Sequence, residues 1–332
     1  MTLLRRMITV PLGTILMVSL LLSGPLLLAA AAVMGLATRS SRPVRTVALL
    51  MAYAVIELRT LVRVLRGERH CDELVQDLLT SAYAVARRIL DVEVVLDSAS
   101  AMPDTIPRNE PVIVLSRHCG PGDSLLVAWL LAVEYRLQLR IVLKAVLQCE
   151  PALDLVGELG CLCFLGRGDR ARRQIRSLAE SLVGGQAMLL FPEGANFSWP
   201  RWHHAIAQLR STGGFRAARR ALRQSHTLPP RSGGTAAAVA GAPSANVLVV
   251  AHNGFCADGR ARPWWQLPIH RQLLIHTVVI PATRIPPPDR LVPWLERTWT
   301  QVDTWVAAHC DVVPSPTSAR RRGTRGPRAL RP

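Results

Sequence analysis

The segment VIVLSRHCGPGD, residues 112–123, joins a β-branched apolar run to a Gly-Pro-Gly turn, and an apolar helical pattern follows over residues 124–134. Because a strand, a tight turn and a helix form one unit of an alternating α/β fold, this segment predicts that architecture. It also places His118 and Asp123 where the predicted strand ends. In such folds ligands bind beyond the carboxyl ends of the strands.

The same alternation continues through most of the chain. Short β-branched runs predict strands at 92–96, 112–115, 139–143, 161–165, 187–191, 247–251 and 275–280, and helical spacing predicts helices at 72–90, 124–134, 170–183, 201–223 and 289–310. We therefore expect an α/β fold with a mixed or largely parallel central sheet flanked by helices. Residues 228–245, rich in Gly, Pro and Ala, are predicted as a surface excursion within this domain.

The composition indicates a folded, basic protein. Of 332 residues, 49% are hydrophobic and 19% charged, which excludes a disordered polymer, and 40 Lys and Arg against 23 Asp and Glu give a net charge of +17. Such a charge calls for a polyanionic partner, either nucleic acid or an anionic membrane surface. The mean hydropathy of +0.22 favours the membrane. Nucleic acid is not expected, because aromatic residues make up 5% and the tryptophans are not interleaved with the basic clusters.

The N-terminal segment is the first candidate for membrane contact. Residues 7–38 carry no charge over 32 positions, and about 20 apolar residues suffice to cross a bilayer as a helix. Pro11 and Pro25 are expected to bend or divide this run. Arginines flank both ends, which favours a re-entrant or two-helix hairpin over a single crossing, although the topology stays open. A cleaved secretory peptide, with a small-residue cleavage region at 28–32, is the less favoured alternative because the run is too long.

Residues 46–56 form a second apolar stretch, which is too short to span a bilayer and runs into a charged segment that ends at Arg66. At helical spacing, Leu58, Leu61, Val62 and Leu65 share one side, and Arg59, Arg63 and Arg66 share the other. This pattern is typical of a helix in the headgroup layer, and an amphipathic helix packed on a domain is an equal alternative. We therefore divide the chain into an anchor and interfacial helix (1–66), a catalytic domain (67–312) and an Arg-rich tail predicted to be disordered (313–332).

Seven cysteines, an odd number without a C-x-x-C pair, are dispersed through apolar surroundings. They argue against a disulfide framework and a structural zinc site, so we expect mostly buried thiols in a reducing compartment. P-loop, H-E-x-x-H and G-x-S-x-G patterns are all missing from the sequence, which removes the main support for an ATPase, a zincin or an ordinary lipase.

Three motifs at predicted strand ends carry the candidate chemistry. A histidine whose imidazole is oriented by a carboxylate is a general base for a hydroxyl, and His118 precedes Asp123 by five positions; Asp123 as a simple helix N-cap is the alternative. Glu193 and Gly194 follow the strand AMLLF at the sheet rim, where a carboxylate can hold a polar ligand. Arg167, just past another strand, is well placed to bind a phosphate.

Together these motifs resemble the glycerolipid acyltransferases, the lysophosphatidic acid and lysophospholipid acyltransferase family, over residues 75–310. The blocks H-x-x-x-x-D, G-x-x-F-[IL]-x-R and F-P-E-G are matched by His118 with Asp123, by Gly160 to Arg167, and by Phe191 to Gly194. The fourth block, an apolar strand with proline, is matched poorly, by residues 279–281 or 247–251. Phe191 to Ser198 and the Trp-containing last helix look most like the lysocardiolipin acyltransferase branch. Arg117 and Ala195 replace the family's usual Asn and Thr.

The resemblance implies an acyltransferase at the membrane, with its active domain facing the cytoplasm. An acyl-CoA or acyl carrier protein thioester would donate its acyl chain to the free hydroxyl of a lysophospholipid, without metal or redox cofactor. It implies that His118 is the general base, that Asp123 holds its imidazole, and that Arg167 and Glu193 bind the glycerol phosphate of the acceptor. Backbone N–H donors near Gly194 are expected to assist the transfer. Lys144, the only lysine in the chain, falls in a family stretch that carries a lysine.

Two other hypotheses stay open at this stage. One is a noncatalytic, membrane-anchored protein that binds anionic lipid or RNA through arginine patches. The other makes Cys119 a thiol nucleophile, which is disfavoured because adjacent residues seldom face the same base.

Overall fold

The structure, a computed structural model, describes residues 2–120, 122–254, 269 and 271–309, without the side chains of residues 2, 3 and 123. The predicted Arg-rich tail, Cys256 and Cys310 therefore lie outside the described residues.

Two long helices precede the α/β domain. Helix α1 spans Thr2–Ala37 and helix α2 spans Arg42–Leu65, and the two pack against each other. Pro11 and Pro25 lie inside α1, which is one continuous helix, so of the two predicted effects, bending or dividing the apolar run, they do not divide it. Within the described residues, one helical segment, Leu4–Ala37, is long and apolar enough to cross a membrane, and most of its side chains are exposed.

Helix α2 packs on the domain, as the second of its two interpretations predicted. The buried carboxylate of Glu57 accepts a hydrogen bond from the backbone N–H of Ala152 at 2.6 Å. Arg59 and Arg63, predicted to face headgroups, instead pair with Asp77 of the domain. The helical periodicity alone could not tell lipid from protein as the partner of this helix.

A seven-stranded mixed sheet forms the centre of the domain, as predicted. Its strands β1 to β7 are Val92–Leu96, Val112–Ser116, Gln138–Lys144, Leu162–Leu165, Gln186–Leu190, Asn246–His252 and Arg271–Ile280, in the spatial order β1-β7-β6-β2-β5-β3-β4. Strands β6, β2, β5, β3 and β4 are parallel, so their carboxyl ends meet at one rim. Strand β7 runs antiparallel to β6, and β1 runs parallel to β7.

Helices cover both faces of this sheet. Helices α3 to α10 are Cys71–Val85, Asp123–Trp129, Pro151–Gly157, Asp169–Glu180, Trp199–Ser211, Phe215–Ala221, Ser232–Gly241 and Pro288–His309. The central strand β2 is buried on both faces: Val112 and Val114 belong to the core beneath α3 and α4, and Ile113 and Leu115 to the core beneath α6, α9 and α10. This two-sided burial holds the end of β2, and the histidine after it, in place.

Two predicted segments differ from the observed helices. The helix predicted over 201–223 is split into α7 and α8, because Gly213 adopts φ +77° and Gly214 N–H closes on the carbonyl of Leu209 at 2.8 Å. The predicted surface excursion contains α9, whose Thr235 and Ala238 are buried. Small residues allow α9 to approach α6 closely; a Cβ on Gly241 would lie 2.5 Å from the Arg176 carbonyl oxygen.

The cysteines also differ from expectation. Cys71, the first residue of α3, forms a disulfide with Cys161, 90 residues away and next to β4. The prediction of free thiols at Cys71 and Cys161 is therefore wrong. The spacing of cysteines along the sequence does not show which of them lie close together in the fold. Cys119 is buried, Cys163 is half-buried and Cys149 is exposed.

Candidate active site

His118 lies directly beyond β2, at the rim where the five parallel strands end. Its backbone N–H donates to Oε1 of Glu193 at 3.1 Å, and its carbonyl accepts a hydrogen bond from the N–H of Phe197 at 2.9 Å. The imidazole packs on the ring of Phe191, with centroids 4.7 Å apart. Its Nδ1 is buried and has no hydrogen-bond partner among the described groups. Backbone and ring contacts thus fix the histidine, while Nδ1 stays available for an orienting partner.

The surroundings keep the His118 imidazole neutral. Burial, followed by the positive charges of Lys144, Arg201 and Arg117, lowers its pKa from 6.5 to about 4. At neutral pH the ring is therefore unprotonated and able to accept a proton, which is the state that a general base requires.

Asp123, the predicted orienting carboxylate, begins helix α4. Gly122 before it adopts φ +95°, a conformation that glycine reaches without strain, so the chain turns sharply from the rim into the helix. The side chain of Asp123 lies outside the described part of the structure, and its contact with His118 stays a prediction.

Glu193 lies behind the histidine rather than at the surface. Its side chain is 1% exposed, and its second oxygen, Oε2, accepts the N–H of Leu228 at 2.8 Å. Burial raises its pKa to about 8, opposed by Arg117 and by the two N–H donors. With both oxygens engaged, Glu193 ties the His118 backbone to the segment before α9. Its predicted contact with the substrate stays a prediction.

Arg117, which replaces the family's usual Asn before the histidine, is buried and hydrogen-bonded to backbone carbonyls. The side chain is 2% exposed and donates to the carbonyls of His226 at 2.7 Å, His252 at 2.7 Å and Asn253 at 3.1 Å. His252, in turn, places Nε2 2.9 Å from the Arg117 carbonyl oxygen. Several carbonyl acceptors offset the cost of burying this cation and join the ends of β2 and β6.

The end of β6, and not that of β7, reaches the site. Gly254 follows β6, and a Cβ there would lie 2.6 Å from Sγ of Cys119. Because β7 is antiparallel to β6, Ile280 pairs with Val247 at the start of β6, so residues 279–281 lie at the ends of the strands opposite to His118. Of the two alternatives for the fourth block, residues 247–251 therefore lead to the rim that carries His118.

The predicted cationic residues differ in their distance from His118. Lys144 ends β3, is exposed and lies near enough for its charge to lower the His118 pKa. Arg167 is exposed beyond β4, the edge strand, three strands from β2. At a strand spacing of about 4.8 Å, the two strands are about 14 Å apart. The structure thus groups Lys144 with His118 and places Arg167 at the periphery.

Gly194, also predicted for the site, has φ +68°. Its N–H donates to the carbonyl of Phe191 at 2.9 Å and is therefore not available to a ligand. A Cβ at this position would lie 3.3 Å from Cδ of Arg231, so glycine leaves room for that side chain.

The sequence motifs did not predict Arg201 and Arg231 as site residues, although both lie at this rim. They lie eight or more positions beyond Glu193, in a helix and in the segment read as a surface excursion. The motif LPPR, residues 228–231, was a possible signal, since a Pro-Pro pair fixes the approach of the arginine that follows.

Comparison with known proteins gives one family. Residues 100–241 match the model of the acyltransferase family, and this segment includes His118, Lys144, Arg167 and Glu193. Four chains of solved structures match. One is the crystal structure of the 1-acyl-sn-glycerophosphate (LPA) acyltransferase PlsC from Thermotoga maritima, 15% identical with a TM-score of 0.48, over 93% of this chain and 98% of that chain. No curated protein matches the chain.

Proposed function

We propose that this chain, which is an acyltransferase, moves an acyl chain from acyl-CoA or an acyl carrier protein to the free hydroxyl of a lysophospholipid such as 1-acyl-glycerol-3-phosphate. The observation that carries this proposal is the neutral imidazole of His118, fixed at the sheet rim inside the segment that matches the acyltransferase family. Because the domain matches a family of enzymes, the noncatalytic lipid- or RNA-binding alternative is set aside.

In the proposed reaction, His118 takes the proton of the acceptor hydroxyl through one ring nitrogen as the oxygen attacks the thioester carbonyl carbon. The tetrahedral intermediate then expels the thiolate, which receives the proton from the imidazolium. Asp123 is proposed to accept the hydrogen bond of the other ring nitrogen, Nδ1, whose observed environment is buried and lacks a partner among the described groups. A thioester is already activated, so one positioned base is chemically sufficient.

The depressed pKa of His118 fits a base that gains strength on substrate binding. A base with a pKa of about 4 takes a proton less readily than one near neutrality. Three of the causes of that low pKa are cations, and a bound anionic phosphate would neutralise part of their charge. Binding a phosphate-bearing acceptor would therefore raise the pKa of His118 at the moment when proton transfer is needed.

We also propose that helix α1 anchors the enzyme to the membrane as part of a hairpin with α2. Near the start of α1, Arg5 and Arg6 bind Asp154 of α5. Just beyond its end, Arg45 at the start of α2 donates to the carbonyl of Ile89. Because both ends of α1 are tied to the domain, the helix lies along it, and its exposed apolar side can enter one leaflet.

The domain is proposed to face the cytoplasm, where acyl-CoA and acyl carrier protein are available. The disulfide between Cys71 and Cys161 weighs against this orientation, because disulfides persist mainly in oxidising compartments. Membership of the lysocardiolipin acyltransferase branch stays a proposal, based on residues 191–198 and the last helix.

The test of the function is acceptor-dependent release of thiol. Purified full-length protein in detergent should release CoA from acyl-CoA only when a lysophospholipid is added, with the diacyl product detected by mass spectrometry. A panel of acceptors that differ in head group identifies the preferred one. Failure to acylate any lysolipid, with either thioester donor, would refute the proposal.

A further inference from the structure

We infer that Arg201 and Arg231 bind the phosphate group of the acceptor beside His118. This inference rests on the proposed function, and it transfers the role predicted for Arg167 to two residues outside the family motifs. Neither arginine forms an ion pair with an acidic side chain in the described part of the chain.

Arg231 lies over the motif that holds the histidine. Its Cδ, Nε and Cζ atoms come within 3.3–3.5 Å of the position that a Cβ on Gly194 would occupy. Its backbone N–H donates to the carbonyl of Pro192 at 2.8 Å. Three residues earlier, Leu228 donates to the same Glu193 carboxylate that holds the His118 N–H. Arg231 is therefore fixed relative to the base, and its side chain is exposed.

Arg201 approaches the same place from helix α7. It is exposed, and its Nη1 donates to the carbonyl of Asn196 at 3.0 Å. The next residue, Phe197, donates its N–H to the His118 carbonyl at 2.9 Å. A short chain of hydrogen bonds thus connects Arg201 to the base, and its charge contributes to the low pKa of His118.

The charge balance at this rim favours an anionic ligand. Lys144, Arg201 and Arg117 all act on His118, and Arg231 adds a fourth cation next to Gly194. Among the described acidic side chains, Glu193 accepts the His118 backbone N–H, and it is buried with both oxygens engaged. Like charges held close together repel, and a phosphate removes that repulsion while it accepts several charge-assisted hydrogen bonds.

The covalent structure of the acceptor selects these arginines over Arg167. In a 1-acyl-glycerol-3-phosphate, the phosphate is attached to the carbon next to the one that bears the free hydroxyl. When that hydroxyl contacts His118, the phosphate must lie close to the same residue. Arg201 lies near enough for its charge to act on His118, and Arg231 lies against Gly194, next to the glutamate that holds the His118 N–H. Arg167 instead follows a strand about 14 Å from β2.

Steady-state kinetics of Arg201→Ala, Arg231→Ala and the double variant test the inference. We expect KM for 1-acyl-glycerol-3-phosphate to rise about tenfold for each single variant and further for the double, with KM for acyl-CoA within about twofold of wild type. Arg201→Lys and Arg231→Lys should recover part of the loss. Arg210→Ala, at another exposed position of α7, and Arg216→Ala on α8 are the matched controls and should behave as wild type.

Three results would overturn the inference. The first is an unchanged KM for the phosphate-bearing acceptor, and the second is an equal rise in KM for a monoacylglycerol acceptor without phosphate. The third is a rise in KM for acyl-CoA alone, which would assign the arginines to the phosphates of the donor. Equilibrium binding of a fluorescent 1-acyl-glycerol-3-phosphate to His118→Ala, with and without the arginine changes, measures the same site without turnover. Normal wild-type activity with unaffected arginine variants refutes this inference alone. A wild-type protein that acylates no lysolipid refutes the proposed function instead.

Discussion

The backbone N–H of His118 donates a hydrogen bond to the buried carboxylate of Glu193 at 3.1 Å, so the F-P-E-G segment holds the histidine from behind. The same carboxylate accepts the N–H of Leu228, which brings the segment that carries Arg231 to the site. One buried side chain thus joins three stretches of chain that are distant in sequence.

Glu193→Ala should destabilise the protein. The change leaves the N–H groups of His118 and Leu228 without acceptors, so we expect a loss of about 3 kcal/mol in the free energy of unfolding. Glu193→Gln keeps one acceptor oxygen and should lose about 1 kcal/mol. Chemical denaturation followed by circular dichroism measures both, with the exposed Glu180→Ala as control. Wild-type stability of Glu193→Ala, with a raised acceptor KM, would instead favour the direct substrate contact.

Removing a nearby cation should move the acidic limb of the pH–rate profile. For the free enzyme, kcat/KM falls as His118 becomes protonated, around its pKa of about 4. Lys144 and Arg201 lower this pKa, so Lys144→Met and Arg201→Ala should raise it and shift the limb to higher pH. Arg210→Ala should leave the limb in place. A phosphodiester acceptor, which does not titrate in this range, keeps the profile specific to the enzyme.

The contrary outcome for this profile is equally specific. If the acidic limb of the wild type lies near pH 6.5 and does not move in either variant, the charges of Lys144 and Arg201 do not lower the pKa of His118. That result would contradict the placement of these two cations near the histidine.

The exposed side of α1 should determine membrane binding. Leu22 and Leu26 are 79% and 75% exposed, so Leu22→Glu with Leu26→Glu leaves the fold intact and places charge on the surface that would enter the lipid. We expect the fraction bound to anionic vesicles in flotation assays to fall at least tenfold. Leu222→Glu, at an exposed position remote from α1, is the control. Undiminished flotation of the double variant contradicts anchoring by this face.

The Cys71–Cys161 disulfide should appear in thiol titration. Unfolded, unreduced protein should expose two fewer reactive thiols than reduced protein, and Cys71→Ser with Cys161→Ser should abolish that difference. Closing a loop of 90 residues stabilises a chain by about 4 kcal/mol, so the double variant should also unfold more readily. If protein purified from cells shows the same number of thiols before and after reduction, the disulfide is not formed there. The disulfide would then no longer argue against a cytoplasmic domain.

The sequence was informative where local pattern decides structure. The β-branched runs predicted all seven strands, and the punctuated strand ends predicted the rim beyond which His118 lies. It was uninformative where tertiary contact decides. The Ala- and Gly-rich α9 has no apolar periodicity because close packing on α6 demands small residues. Arg231 becomes part of the site only because its segment lies along Pro192 and Gly194.

The most direct test of the central claim is lysophospholipid-dependent CoA release by His118→Ala, compared with wild type and with His204→Ala, an exposed histidine on α7. Identical circular dichroism spectra and denaturation midpoints establish that the variants are folded. We predict that His204→Ala retains wild-type activity and that His118→Ala loses at least a hundredfold in kcat. Wild-type turnover by folded His118→Ala would contradict general-base catalysis by this residue.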